Sequence, residues 1–192
     1  MQEIIQLDKE FFLFLNTMGT PAWDGFWGFI SERSYWTPLY ILLLFLLYRN
    51  FGLRKTILIL GLTLLMVLVT DQITNLFKDG FQRLRPCFTP EFEGLMRPVG
   101  CERRGLYGFT SAHASNHFAV AVLLGLIFRT KFKWMIYVLL IWAAFISYSR
   151  IYLGVHFPLD VICGGTMGLI TGFGFYKLFI WILNKYPQKF QV

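Results

Sequence analysis

Hydrophobic residues in this chain are gathered into long, nearly uncharged runs that alternate with short polar segments. The runs that resemble transmembrane helices are residues 35–48, 56–77, 112–128, 134–148 and 159–183. The first and fourth are shorter than the roughly 20 residues needed to cross a membrane, but the aromatic residues at their ends are typical of a membrane interface. The pattern therefore predicts an all-α fold, a polytopic transmembrane helical bundle with five spans.

The N-terminal segment, residues 7–30, has a different pattern, because polar and turn-forming residues interrupt an aromatic-rich stretch. Asn16, Gly19 and Pro21 fall in its middle. Such a segment favours one or two amphipathic helices that lie in the membrane interface. A sixth span is the alternative.

The composition agrees with a membrane protein. Of the 192 residues, 56% are hydrophobic and 15% are charged, whereas a soluble domain has about 45–50% apolar and about 25% charged residues. The net charge of +7 would suggest nucleic-acid binding in a soluble protein. Here the basic residues lie between apolar spans, so membrane topology explains them and no nucleic-acid partner is expected.

The same basic residues predict the orientation of the bundle. Threading five spans places residues 49–55, 129–133 and 177–192 on one side, and these segments contain several lysines and arginines but no acidic residue. By the positive-inside rule this side is cytoplasmic. The polar clusters around Lys78, His113 and His156 then share the outer side.

The first two of these clusters contain groups that can bind phosphate. Lys78 ends the second span and Arg85 follows it, and both cations can hold phosphate oxygens, although snorkelling at the interface is an alternative explanation. Ser111, Ala112 and His113 begin the third span, where free backbone N–H groups and the helix dipole favour an anion. Ser111 can be both the helix cap and a ligand.

The third cluster adds a nucleophile. Arg150 ends the fourth span, and His156 and Asp160 follow it at a spacing of four residues. The carboxylate can then accept a hydrogen bond from one ring nitrogen and leave the other free to attack phosphorus. A capping aspartate beside a hydrogen-bonded histidine is the alternative. His117, one turn beyond His113, is interpreted as a packing or hydrogen-bonding histidine inside its helix, with a catalytic role as the alternative. Together the clusters indicate a membrane phosphatase.

The cysteines leave two alternatives open. Cys87 and Cys101 share the long outer loop, where they can form a disulfide in an oxidising compartment or remain two free thiols. Cys163, beside Gly164, is predicted to contribute to helix packing.

Other charged residues have less specific roles. Asp71 is predicted to be a buried partner of one of the site cations. The arginines of the outer loop suggest either a multiply anionic lipid headgroup or simple solvation, and they are Arg83, Arg97, Arg103 and Arg104.

Three segments resemble the signatures of the type 2 phosphatidic acid phosphatases, in the lipid phosphatase and vanadium haloperoxidase superfamily. Lys-x6-Arg-Pro matches residues 78–86, and Ser-Arg-x5-His-x3-Asp matches residues 149–160. Pro-Ser-Gly-His corresponds to residues 110–113, where Thr110 replaces the proline and Ala112 replaces the glycine. The resemblance covers about residues 56–183 and is strongest to bacterial undecaprenyl-diphosphate phosphatases.

The resemblance implies a two-step hydrolysis that needs no metal or other cofactor. His156 is expected to attack and form a phosphohistidine, with Asp160 orienting it. His113 is expected to protonate the leaving oxygen and then to activate water. The groups expected to hold the phosphate are Lys78, Arg85, Ser111, Ala112 and Arg150.

The resemblance also implies one membrane phosphatase domain, residues 1–192, with an interfacial segment at 7–30 and the motif-bearing core at 56–183. Its expected location is the bacterial cytoplasmic (inner) membrane, with the site facing the periplasm or exterior. The favoured substrate is undecaprenyl diphosphate; phosphatidylglycerophosphate, phosphatidic acid and lipid A phosphate are alternatives, as is phosphoryl transfer to a second lipid. Outside the enzymes, a lipid-binding or transport protein is the alternative. No obligate protein partner is expected.

Overall fold

The computed structural model describes residues 2–101 and 105–190, which form a bundle of α-helices. The helices are α1 (Gln2–Thr17), α2 (Pro21–Ser31), α3 (Thr37–Phe81), α4 (Ala112–Phe128), α5 (Met135–Tyr152), α6 (Pro158–Lys185) and α7 (Pro187–Phe190). Short 3-10 helices lie at Arg33–Trp36, Pro86–Phe88 and Pro90–Phe92. The region Arg33–Phe81 and helices α5 and α6 are long and apolar enough to cross a membrane. The all-α transmembrane fold expected from the hydrophobic pattern is confirmed.

Helix α3 contains the first two predicted spans, because it breaks at Gly52. This residue has φ +75°, a left-handed backbone conformation that glycine adopts at little cost. Tyr40 and Val67, from opposite sides of the break, line the same groove, although an unbroken helix would separate them by about 40 Å. The chain therefore turns back at Gly52. The segment 49–55, predicted as a loop, is helical on both sides of this glycine.

Helix α4 lies at the centre of the bundle and packs against α3, α5 and α6. Helix α6 approaches it through Gly164, Gly168 and Gly172, where an added Cβ would meet backbone oxygens of α4 or of its N-cap. Small residues at four-residue intervals allow two membrane helices to come this close. Cys163 is half-buried beside this glycine stripe.

Helix α5 ends later than the sequence pattern predicted, at Tyr152 rather than at residue 148. The helix continues through Ser149 and Arg150, whose side chains are buried in the protein. Hydropathy alone placed the end too early, because these polar residues face the protein interior and not the lipid.

Helix α1 lies across one end of the bundle, where α3 ends, α4 begins, α5 ends and α6 begins; we call this end the motif face. Helix α2 starts at this face and packs against the last turns of α5. Asp8 of α1 accepts a hydrogen bond from the Leu159 backbone at 2.8 Å. Asn16, about two turns further along α1, donates to the Tyr152 carbonyl at 2.9 Å. Because both partners lie on the motif face, α1 runs along it. Helix α2, with 11 residues, is too short to cross a membrane. The two N-terminal helices have the arrangement expected of an interfacial segment, and neither is among the described helices that are long and apolar enough to cross a membrane.

Candidate active site

The three polar clusters meet on the motif face because helices begin or end there. Lys78 lies in the last turn of α3, Arg150 lies in the last turn of α5, and His156 lies in the loop that enters α6. The charges of Lys78, Arg85 and Arg150 all act on the His156 ring. Arg150 and His156 act in turn on His113 at the start of α4. The structure therefore brings together the histidines and cations that the sequence placed on one side of the membrane.

Arg85 holds one side of the His156 ring. Its Nη1 lies 2.9 Å from His156 Nε2 and donates to the Val155 carbonyl at 3.0 Å, while its Nε donates to the Gly105 carbonyl at 2.7 Å. An arginine side chain can only donate, so Nε2 must accept and carries the lone pair. The proton of the neutral ring therefore lies on Nδ1.

Asp160 faces this second nitrogen. Its Oδ2 lies 3.4 Å from His156 Nδ1 and accepts the Phe157 backbone N–H at 3.0 Å. The His156 ring also hydrogen-bonds the backbone of Gly108. The four-residue spacing thus places a buried carboxylate beside Nδ1, while Arg85 lies beside Nε2.

Burial of His156 and the neighbouring positive charges favour its neutral form. Burial lowers the pKa of this histidine well below its ordinary value, and the charges of Arg85, Arg150 and Lys78 lower it further. A neutral imidazole with its lone pair on Nε2 is the form that can attack phosphorus.

The start of α4 contributes Ser111 and two histidines. Ser111 Oγ caps the helix by accepting the N–H three residues on at 3.4 Å, and its own N–H donates to the Asp160 carbonyl at 3.0 Å. His117 Nδ1 lies 2.7 Å from the His113 carbonyl, and its ring packs edge-on against Trp142 with centroids 5.0 Å apart. His117 therefore makes the packing and hydrogen-bonding contacts that were predicted for it.

Arg83 binds protein carboxylates, contrary to its predicted role as a headgroup contact or a solvated residue. Its two terminal nitrogens lie 2.5 Å from Asp8 Oδ2 and 2.9 Å from Asp160 Oδ1. Its Cζ lies 4.1 Å from the centre of the Phe157 ring. The sequence pattern missed this role because Asp8 comes from the N-terminal helix.

Arg97 is paired in the same way, so the prediction of a solvated or headgroup-binding residue is wrong here too. Its Nη2 lies 2.8 and 2.9 Å from the two oxygens of Asp24 in α2, and Tyr152 donates to the same carboxylate at 2.8 Å. Burial raises the pKa of Asp24, but the hydrogen bonds from Arg97 and Tyr152 outweigh it and hold the pKa below its ordinary value. Arg103 and Arg104 lie outside the described residues.

Asp71 has a different role from the predicted one. It is half-buried, and although Lys78 is near enough to be influenced by its charge, its hydrogen bond comes from Asn116 of α4 at 2.7 Å. Asn116 Oδ1 in turn accepts from Thr70. Asp71 therefore belongs to a polar link between α3 and α4, and is not the buried partner of a site cation.

Cys87 and Cys101 are joined by a disulfide on the motif face, with Cα atoms 5.9 Å apart. The bond ties the 3-10 turn after Arg85 to the distal part of the loop. Next to it, Gly100 donates to the Leu153 carbonyl at 2.9 Å and so connects this loop to the end of α5.

An apolar groove of about 300 Å³ lies between the two arms of α3 and helices α4 and α5; we call it the lateral groove. Arg33 and His117 are among its lining residues. Leu44 and Leu60, which also line it, are exposed on the surface of the bundle. The groove therefore opens sideways, towards the lipid. The sequence pattern did not predict this groove, because its walls come from the two arms of α3, from α4 and α5, and from the 3-10 helix that begins at Arg33.

Comparison with known proteins agrees with this geometry. The sequence matches the PAP2 superfamily over residues 56–183. It is 37% identical to the lipid A 4'-phosphatase of Porphyromonas gingivalis, over 97% of this chain and 78% of that protein. It is 34% identical to the lipid A 4'-phosphatase of Bacteroides thetaiotaomicron (96% and 80%), and 31% identical to the undecaprenyl-diphosphatase of Sulfolobus acidocaldarius (87% and 76%).

The fold is similar to the crystal structure of a transmembrane PAP2-type phosphatidylglycerolphosphate phosphatase from Bacillus subtilis. The TM-score is 0.73 at 19% identity, over 93% of this chain and 87% of that one. At 19% identity this likeness shows the fold alone. The family assignment rests on the sequence matches described above, which cover most of this chain and most of each related protein. The chain therefore belongs to the PAP2 superfamily and is a membrane lipid phosphatase.

Proposed function

We propose that the protein hydrolyses a phosphate ester of lipid A or of a closely similar phosphorylated glycolipid. The observation that carries this proposal is the identity of 37% and 34% to two lipid A 4'-phosphatases over nearly the whole chain. This similarity includes α1, α2 and the first arm of α3, which lie outside residues 56–183. Because these elements cover the motif face and line the lateral groove, similarity there bears on the substrate as well as on the reaction.

The proposed reaction has two steps. His156 Nε2 attacks phosphorus, the bond from phosphorus to the lipid oxygen breaks, and that oxygen takes a proton from His113. Water then attacks the phosphohistidine and gives a proton to His113, and the N–P bond breaks to release phosphate. Asp160 faces the ring nitrogen that does not react and would stabilise the positive charge that the ring acquires.

The cations of the site suit the charge on the phosphoryl group. The charges of Lys78, Arg85 and Arg150 act on His156, and these groups would hold the phosphoryl oxygens, with Ser111 and the Ala112 N–H at the start of α4. Arg85 already contacts Nε2 at 2.9 Å. A phosphate that enters here would exchange this hydrogen bond for contacts between Arg85 and its own oxygens.

The lateral groove supports a lipid substrate. Its apolar walls can accept an acyl chain from the membrane while the headgroup reaches the site. Arg33, an exposed residue outside the family signatures, adds a cation to the lining and suits an anionic headgroup.

The site is proposed to face the periplasm of a bacterial inner membrane. The end of the bundle opposite the motif face carries basic residues in the segments 49–55, 129–133 and 177–190, which favours a cytoplasmic location for that end. The Cys87–Cys101 disulfide on the motif face favours an oxidising compartment there.

Undecaprenyl diphosphate is the second candidate. It is favoured by the 31% identity to an undecaprenyl-diphosphatase, and the same two steps apply with phosphate-linked oxygen as the leaving group. The experiment is a phosphate-release panel with the purified protein in detergent, covering lipid A, undecaprenyl diphosphate, phosphatidylglycerophosphate and phosphatidic acid.

Of the four lipids, lipid A is expected to have the highest kcat/KM. The His156→Ala variant is expected to release no phosphate. A chelator is expected to leave the rate of phosphate release by the wild-type protein unchanged. A higher kcat/KM for undecaprenyl diphosphate would overturn the proposed substrate but not the reaction. A newly phosphorylated lipid in place of free phosphate would indicate a phosphotransferase. Activity lost to the chelator would refute the metal-independent mechanism.

A further inference from the structure

The carboxylate beside His156 is held by a chain of charges that begins in the N-terminal helix. Arg83 Nη1 donates to Asp160 Oδ1 at 2.9 Å, and Arg83 Nη2 donates to Asp8 Oδ2 at 2.5 Å. Asp8 lies in α1, outside residues 56–183, and Arg83 is not one of the residues that define the family signatures.

We propose that Asp8 and Arg83 are positioning residues, which act through Asp160 to orient His156 and to set the charge beside its ring. The proposal rests on the proposed role of His156 as the nucleophile. It makes α1 a part of the site and not merely a cover on the motif face.

The guanidinium of Arg83 has little freedom to leave this position. Two carboxylates bind its two terminal nitrogens, and the Phe157 ring lies 4.1 Å from its Cζ. Because both terminal nitrogens point at protein carboxylates, Arg83 is placed to hold Asp160 and not to bind a substrate phosphate.

Asp8 holds the other end of the arrangement. While its Oδ2 binds Arg83, its Oδ1 accepts the Leu159 backbone N–H at 2.8 Å. Leu159 is the residue before Asp160 in the first turn of α6. Asp8 therefore fixes both the arginine that binds Asp160 and the backbone that carries it.

The sum of the charges gives Asp8 an electrostatic role as well. The side chains of Asp8 and Asp160 are 2% and 0% exposed, so water screens these charges weakly. Arg83 alone would neutralise Asp160. When both carboxylates are ionised, Asp8, Arg83 and Asp160 together carry one net negative charge beside His156 Nδ1. That charge favours the positive ring that forms when Nε2 binds phosphorus.

The test compares Asp8→Asn with Asp24→Asn in the purified full-length protein. Asp24 is a matched control, because it pairs α2 with Arg97 on the same face but has no contact with Asp160 among the described residues. The readouts are kcat and KM for the best lipid of the panel, together with the thermal unfolding temperature.

Asp8→Asn is expected to lower kcat by roughly 10- to 100-fold, which is the loss typical when a residue that hydrogen-bonds and orients a metal-binding histidine is removed. KM is expected to stay within about two-fold of the wild-type value. Arg83→Gln is expected to lose at least as much, and the double variant no more than Arg83→Gln alone, since residues of one network are not additive. Asp24→Asn is expected to keep the wild-type kcat. Should Asp8→Asn fail to fold, Asp8→Glu keeps the charge and is expected to retain more activity than Arg83→Gln.

A wild-type kcat in Asp8→Asn, an equal loss in Asp24→Asn, or a rise in KM alone would overturn the proposal. Failure of the proposed function is a separate result: the wild-type protein would release no phosphate, or His156→Ala would retain activity.

Discussion

Replacing Asp160 with asparagine tests the orientation of His156 most directly, because the change keeps the size of the side chain. One oxygen of Asp160 now accepts from Arg83 at 2.9 Å. The other accepts from the Phe157 N–H at 3.0 Å and faces His156 Nδ1 at 3.4 Å. An amide has a single acceptor oxygen, so it can satisfy the donors on one side only.

The two amide orientations have different costs. With its oxygen towards His156, the amide points its NH₂ group at the Arg83 guanidinium, and an unsatisfied buried charged group costs about 1–3 kcal/mol or more. With its oxygen towards Arg83, the amide donates to His156 Nδ1 and the ring proton moves to Nε2, where it opposes the Arg85 donor, and the Phe157 N–H loses its acceptor. We expect this second orientation because it keeps the buried charge of Arg83 paired, and it removes the lone pair proposed to attack phosphorus.

The expected loss follows from this change of tautomer. The same exchange in the serine protease triad lowers kcat by about 10⁴-fold. Here the Nδ1–Oδ2 distance is 3.4 Å and the Gly108 backbone also contacts the ring, so Asp160 is not the sole group that orients it. We therefore expect a loss in kcat of about 10³-fold, or about 4 kcal/mol on the activation barrier.

The assay is steady-state phosphate release, with thermal unfolding measured in parallel to establish that the variant is folded. KM is expected to stay within about two-fold, since Asp160 faces away from the phosphate. A folded Asp160→Asn protein with a kcat within ten-fold of wild type would refute the assignment of the tautomer.

Two further predictions concern the groove and the loop. Val67→Trp places a large ring in the lateral groove. It is expected to lower kcat/KM by about ten-fold for a long-chain lipid but not for a short-chain phosphate. The control is Leu64→Trp, at a position 67% exposed on the same helix, which is expected to have no effect. Equal losses in both variants would argue against the groove as the path of the lipid. Cys87→Ser is expected to cost about 3 kcal/mol of stability, because the disulfide closes a loop with a sequence separation of 14. The loss would be measured as a lower unfolding temperature. Cys163→Ser, the control, is expected to cost much less. An unchanged unfolding temperature in Cys87→Ser would show that Cys87 and Cys101 are not paired in the protein.

Much of this arrangement could be predicted from the sequence, because it depends on local order along the chain. Apolar runs predict membrane-spanning helices because a segment of about 20 apolar residues is long enough to cross the hydrocarbon core of a bilayer. The spacing of His156 and Asp160 places their side chains on neighbouring positions at one helix start. Alternation of spans then puts the three clusters on one side of the membrane, where the structure also has them.

The tertiary structure alone decided what surrounds these groups. Arg83 binds Asp8 across 75 positions, and Asp8 reaches Leu159 across 151. A charge in a polar loop has the same local pattern whether it faces water, a lipid headgroup or a carboxylate from a distant helix. The choice depends on how the helices pack, and packing also created the lateral groove and turned α3 back at Gly52. The sequence therefore determined the proposed reacting groups and their common end of the bundle, whereas the docking of α1 determined what holds them.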